Sequence, residues 1–364
     1  MDSAVALEFT SGKPKEWTVN LWLHRFAVFT AAATVFLIVA GAAVTSTGSG
    51  DAVPDWPLSY GTLLPEMSGG VLFEHGHRMV AGFTALLITL LAVWLWRSSY
   101  PRWLKMLGLF AFLCVIQQAL LGGLRVLVVS DPQVQSTAVT LFNAPHVAPV
   151  RIGFAVAHAT LAQIVLCLAF AIALFTSRGF AVSTASEAPP TRAGLTASSL
   201  LIITTTGTTV LLFIQLILGA LMRHTQAGLI IPDFPLSFGK LIPPFGALPH
   251  DPNDPFPLTY RELQFKVAIH FAHRVGALFI AAAVTTTAVL VWRHFRRCVP
   301  LTRLASLLML LTLAQITLGA CVIWTELAAP VTVAHVVTGA SILGFSLLTT
   351  IWSWRLRHSH QVLS

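Results

Sequence analysis

Charge is scarce in this sequence. Only 10% of its 364 residues are Asp, Glu, Lys or Arg, where a water-soluble domain carries about 25%. So few charges cannot clothe a domain that faces water on all sides, and an ordinary soluble protein is excluded. Cysteine is scarce as well. Cys114, Cys167, Cys298 and Cys321 show no CxxC spacing, which argues against a zinc site. Three of them lie in apolar runs and the fourth at the inner boundary, so no disulfide is expected between outer loops. The N-terminus lacks the apolar core of a signal peptide. Asp2, Glu8 and Glu16 are mixed there with Lys13 and Lys15, unlike an Arg-rich, acid-poor transit sequence. A bacterial inner membrane is therefore expected rather than a mitochondrion.

What is abundant is apolar length. The hydrophobic fraction is 55% and mean hydropathy is +0.78. About 20 apolar residues span a bilayer core, and eight runs of that length are present: 26–46, 73–96, 103–127, 152–176, 197–222, 263–292, 303–325 and 331–354. The expected fold is all-α and integral to the membrane. The net charge of +8 reflects topology rather than a nucleic-acid partner. With the N-terminus inside, 14 of the 22 basic residues fall on the inner side, among them Arg97, Arg102, Lys105, Arg296 and Arg297, while ten of the 14 acidic residues fall outside. Excess Lys and Arg mark the cytoplasmic side, so both termini are expected in the cytoplasm.

An internal repeat organises the chain. Residues 41–65 (GAAVTSTGSGDAVPDWPLSYGTLLP) align without a gap to residues 219–243 (GALMRHTQAGLIIPDFPLSFGKLIP), with 12 of 25 positions identical. Three further landmarks recur in order: His77-Arg78 with His273-Arg274, Gln118-Ala119-Leu120-Leu121-Gly122 with Gln315-Ile316-Thr317-Leu318-Gly319, and Val156-Ala157-His158 with Val333-Ala334-His335. Each repeat holds four spans. An even number keeps both repeats in the same orientation and predicts two tandem four-helix bundles related by a pseudo-twofold along the membrane normal. The expected divisions are a cytoplasmic segment 1–25, repeats at 26–176 and 197–354, a polar linker 177–196 with Pro189-Pro190, and a tail 355–364.

His77, His158, His273 and His335 stand apart from the other nine histidines. Each lies inside an apolar span near its outer end, on the second and fourth span of its repeat. An ionisable side chain in hydrocarbon is costly and faces the bundle interior. Two imidazoles at matched depth suit an axial pair on one heme iron, His77 with His158 and His273 with His335. A lone copper ion would call for Met or Cys ligands, and none recurs at matching positions. Arg78, Arg274, Arg125 and Arg223 lie near these sites and can fork onto heme propionates. The repeats differ at one telling place: Glu74, three residues before His77, is replaced by His270 before His273. A carboxylate beside one site alone can relay protons or stabilise positive charge there.

The ExxHR stretch Glu74–Arg78, His273-Arg274, the lone His158 and His335, the twin PDWPLSYG and PDFPLSFG loops and the GAxxR stretch Gly219–Arg223 resemble the heme A synthase family over about residues 20–355. The resemblance implies oxidation of the C8 methyl of heme O to a formyl group, giving heme A for terminal oxidases. It implies cofactor heme b on His273 and His335. Substrate heme O is implied near His77 and His158, with Glu74 at the reacting edge. Delivery by a heme O synthase and homo-oligomerisation are both left open, and the electron acceptor carries no motif here. One departure stands out. Many bacterial members carry a cysteine pair in the first outer loop and some in the third, where this chain has Val53 and Ser59, and Ile231 and Ser237. Two other readings compete. A bis-histidine diheme electron carrier would use the same four histidines without needing Glu74. A transporter would predict broken helices or midplane charges.

Overall fold

The computed structural model describes residues 5–8, 15–182, 192–249 and 258–361, with side chains at 19–180, 196–249 and 258–356. A short hairpin of β1 (Val5–Glu8) and β2 (Lys15–Thr18) precedes the helices α1 (Leu21–Ser46), α2 (Gly69–Arg97), α3 (Arg102–Ser130), α4 (Pro132–Leu141), α5 (Val147–Phe175), α6 (Arg178–Val182), α7 (Arg192–His224), α8 (Tyr260–His294), α9 (Val299–Trp324) and α10 (Ala329–Gln361). All but α4 and α6 are long and apolar enough to cross a membrane. Among the described residues the membrane part is thus all-helical, with eight candidate spans where eight apolar runs were expected. Much of the linker expected at 177–196 lies outside the described residues.

Polar caps set where several helices begin. The Asn20 side chain accepts from the N–H groups of Trp22 and Leu23 and starts α1 five residues before its apolar run. Thr259 and Glu262 form a capping box that starts α8. Asp131 caps α4 and Pro132 occupies its first turn, which makes a helix of part of an expected outer loop.

Helices α1, α2, α3 and α5 contact one another in a closed cycle, as do α7, α8, α9 and α10. The two sets meet along α1, α5, α7 and α10. At that seam Ile38, Leu166 and Ala340 are buried together, and Phe170 packs edge-on against Phe345. Leu23, Leu91, Leu95, Leu104 and Ile172 form an apolar core at the end of the first set where α1 begins. The Tyr100 hydroxyl ties that end together, accepting from the Asn20 N–H at 3.2 Å and donating to the Thr176 carbonyl at 3.5 Å. Large apolar side chains such as Phe36, Phe110, Leu310 and Leu313 point outward from mid-helix, as a lipid-facing surface requires.

The twin loops after α1 and α7 share one geometry. A bridge joins Ser59 to Thr62 and another joins Ser237 to Lys240. Between them, Tyr60 and Gly61 (φ 52° and 71°) and Phe238 and Gly239 (φ 55° and 73°) are left-handed. Two successive residues at positive φ make the turn tight. An aspartate holds each one: Asp55 accepts from the amides of Tyr60 and Gly61 at 2.7 and 2.8 Å, and Asp233 accepts from Phe238 and Gly239 at 2.7 Å each. Trp56–Pro57 and Phe234–Pro235 are both cis.

Candidate functional site

The four histidines selected from the sequence sit in matched surroundings. Each imidazole turns its Cε1 edge onto a glycine of the preceding spanning helix. A Cβ on Gly41, Gly122 or Gly219 would lie 3.1 Å from Cε1 of His77, His158 or His273, and one on Gly319 would lie 3.2 Å from Cε1 of His335. Any side chain at these positions would displace the ring. Spans 1, 3, 5 and 7 therefore supply seats, and spans 2, 4, 6 and 8 supply imidazoles. His158 lies within electrostatic range of His77, and His273 within that of His335.

The residues fit a porphyrin iron. Nδ1 of His77, His158 and His335 is buried with no hydrogen-bond partner among the described residues. An unpaired buried polar atom costs about 1–3 kcal/mol, a cost that a metal bond to a ring nitrogen would offset. The described residues contain no group of three or more His, Cys, Asp or Glu able to cage a bare ion. Two imidazoles per site suit a metal that brings its own equatorial ligands.

Glu74 is 4% exposed, and both of its oxygens are engaged. Oε1 accepts from Arg78 at 2.8 Å and Oε2 accepts from the Val53 N–H at 2.9 Å. The carboxylate therefore joins α2 to the first loop. Its counterpart His270 is equally buried, and its Nδ1 has no hydrogen-bond partner among the described residues.

Arg78 and Arg274 clamp the twin loops. Arg78 donates to the carbonyls of Asp55 and Leu58 at 2.8 and 2.7 Å and to the Ser59 hydroxyl at 3.3 Å. Arg274 donates to the carbonyls of Leu236 and Ile231 at 2.7 and 3.2 Å. Arg223 donates to the Thr45 carbonyl at 2.7 Å, across the seam between the two sets. Arg125 differs from these three. It lies against Gly50, within electrostatic range of Glu74, His77 and His158, and it donates no hydrogen bond to another described residue. Of the four arginines it has the guanidinium most open to a bound carboxylate.

The clamped loops are electrostatically tuned. Burial by itself would raise the Asp55 carboxyl, but the amides of Gly61 and Tyr60 outweigh it and hold the group below the ordinary carboxylate range. Asp233 is lowered in the same way by Gly239 and Phe238. Val53, Ser59, Ile231 and Ser237 are all buried. Ser59 hydrogen-bonds Nδ1 of His75 at 2.8 Å. His75 lies on a different face of α2 from His77, and that face is the one against the loop.

The loops also carry a compensated exchange of volume. In the first repeat the Trp56 ring packs on Gly123, where a Cβ would lie 2.5 Å from the ring. In the second repeat the matching residues are Phe234 and Ala320, and Trp324 faces Phe234 edge-on at 6.1 Å. The smaller ring goes with the larger helix residue.

A profile of the COX15-CtaA family, described as cytochrome oxidase assembly protein, matches residues 24–347. The chain belongs to that family. The matched stretch runs from α1 into α10 and includes every seat, every paired histidine and both loops of this COX15-CtaA member. Similar proteins include a heme A synthase of Geobacillus kaustophilus (strain HTA426), 27% identical over 317 residues that cover 86% of each chain. A heme A synthase of Bacillus cereus (strain AH187) is 27% identical over 280 residues, 76% of this chain and 74% of the relative. One of Bacillus anthracis (strain CDC 684 / NRRL 3495) is 26% identical over the same length.

Proposed function

We propose that this COX15-CtaA member is a heme A synthase, an oxidoreductase that converts the C8 methyl of heme O to a formyl group. The observation that carries the reading is the twofold recurrence of a buried imidazole pair seated on glycines, with a carboxylate beside one pair alone. Each closed set of four helices is one repeat and one heme site. His273 and His335 hold a permanent heme b, which supplies a redox centre when bound. His77 and His158 flank the substrate heme O. Glu74 lies on this side and Arg125 is the cation available to a propionate. Arg78 and Arg274 act on the loops, which fold over the outer ends of the sites and exclude water. The inner-side excess of Lys and Arg supports a multi-pass inner-membrane protein with both termini in the cytoplasm.

The test is co-expression with a heme O synthase, followed by extraction and chromatography of hemes. Heme A is expected with the wild-type chain, and its absence would count against the activity. Glu74→Gln keeps an oxygen for the Val53 amide while removing the charge. It is expected to abolish heme A formation and to leave bound heme b, which reports that the fold has survived. Undiminished heme A would reduce Glu74 to a loop anchor.

A further inference from the structure

Cations from three helices gather where α1 ends. Arg125 of α3 lies against Gly50. Arg151 of α5 pairs with Asp51, the next residue of the loop. Arg223 of α7 donates to the Thr45 carbonyl at 2.7 Å, and His224 follows it. This cluster borders the first imidazole pair. His77 lies within electrostatic range of Arg125, and His158 within that of Arg125 and His224. His224 is in turn within range of Arg125, Arg223 and Arg151. A side chain of the second repeat therefore stands beside the site of the first.

The repeat carries no such charges at the matching positions. Counted from Gln118 and Gln315, Arg125 is matched by Val322. Counted back from His158 and His335, Arg151 is matched by Ala328. The gap-free loop alignment matches His224 with Ser46 and Asp51 with Leu229. Carbonyls at a helix end attract cations. That accounts for Arg223 on Thr45, but it would act equally at the end of α7, where the repeat offers Val322 and Ala328. Counter-charge is short as well. Arg151 engages Asp51 and Arg78 engages Glu74, so Arg125 is left without an ion-pair partner among the described residues.

We propose that Arg125, Arg151 and His224 form a carboxylate-binding mouth, built from both repeats, that selects the first-half heme by its two propionates, while the second-half site lacks this recognition. A guanidinium takes a carboxylate through paired N–H donors, and an imidazole adds one more. Arg151 can exchange Asp51 for a propionate, because that ion pair is half-exposed and so weakly held. The transient heme thus has a charged handle that its permanent neighbour does without. This rests on the two-heme reading above.

Hemin and its dimethyl ester test this, because the ester keeps the iron and the ring but loses both negative charges. Each is titrated into the full-length protein in detergent and followed by the low-spin Soret band. His273→Ala with His335→Ala leaves the first-half imidazole pair, and His77→Ala with His158→Ala leaves the second-half pair. At the first-half pair hemin is expected to bind about tenfold tighter than the ester, the scale of one hydrogen bond to a charged group. Arg125→Val and Arg151→Ala, each introducing the residue of the other repeat, are expected to remove that preference while leaving ester affinity unchanged. At the second-half pair the same two changes should leave hemin affinity unaltered. If Arg125→Val fails to fold, the half-exposed Arg151 still decides. Equal affinity for hemin and ester at the first-half pair, or a preference that survives both changes, would overturn this inference alone. Low-spin heme at the second-half pair with none at the first would overturn the two-heme reading with it.

Discussion

Replacing Gly123 by alanine puts a methyl carbon 2.5, 2.7 and 2.8 Å from three atoms of the Trp56 ring. Carbon atoms in contact prefer about 3.5–4.0 Å, so the ring must retreat by about 1 Å. It is anchored on both sides, by the Arg78 bond to the Asp55 carbonyl before it and the bond to Leu58 after it. Overpacking of this kind costs about 1–3 kcal/mol. Trp56→Phe alone leaves a gap over Gly123 and costs a similar amount through lost contacts. Together the two changes reproduce the Phe234–Ala320 arrangement of the second repeat, and the double variant is expected to recover about 1–2 kcal/mol relative to the sum of the singles. A chain of this size shifts its melting midpoint by about 2 °C per kcal/mol. Heating a membrane protein in detergent is irreversible, so apparent midpoints are compared at one scan rate. Each single variant should melt about 2–6 °C below wild type, with the double variant about 2–4 °C above the level that the two losses added together would give. A double variant that falls by the full sum would show that Trp56 and Gly123 do not share a contact, and the exchange between repeats would lose its explanation.

Acid should loosen the first loop through Asp55. Its folded carboxyl is lower than in an unfolded chain, so the ordering it provides is complete above about pH 4 and is lost as pH falls through the folded value. Proteolysis of residues 51–66 between pH 6 and pH 3 should rise in acid for wild type, whereas Asp55→Asn should give a flatter profile; parallel profiles would contradict the tuning. Gly219→Val should displace His273 and remove the second-half low-spin heme while the protein still accumulates, and Gly41→Val should spare that heme; a normal heme spectrum in Gly219→Val would mean that the seat is unimportant.

The spanning helices and the duplication were legible because both are patterns along the chain. Apolar runs survive any packing arrangement, and the four histidines announce themselves by being polar at fixed depth. Helix ends were less legible where hydropathy competes with capping. The run beginning at residue 26 ignores Asn20, though the Thr259-Tyr260-Arg261-Glu262 box and Asp131-Pro132 were readable as helix starts. The division of labour among the arginines was not legible, because the loop carbonyls that Arg78 clamps lie 20 and 23 residues upstream, and nothing in the sequence shows that Arg125 donates to none of them. The seats were half visible: Gln118–Gly122 and Gln315–Gly319 recur as repeat landmarks, but their meaning depends on which helix stands opposite. Ser59–His75 was missed because a histidine pointing away from the paired ring looked idle until the loop was in place against it.

The bond from Arg223 to the Thr45 carbonyl has a consequence for the ancestry of the molecule. Thr45 and Arg223 occupy the same position of the two repeats, so a symmetric pair would make this contact in both directions or in neither. Here it runs one way. Two copies of the amino-terminal half would lack the cation, and two copies of the carboxy-terminal half would bring two cations face to face. Fusion into one polypeptide has therefore let the halves become a matched left and right, which separately expressed identical units cannot imitate.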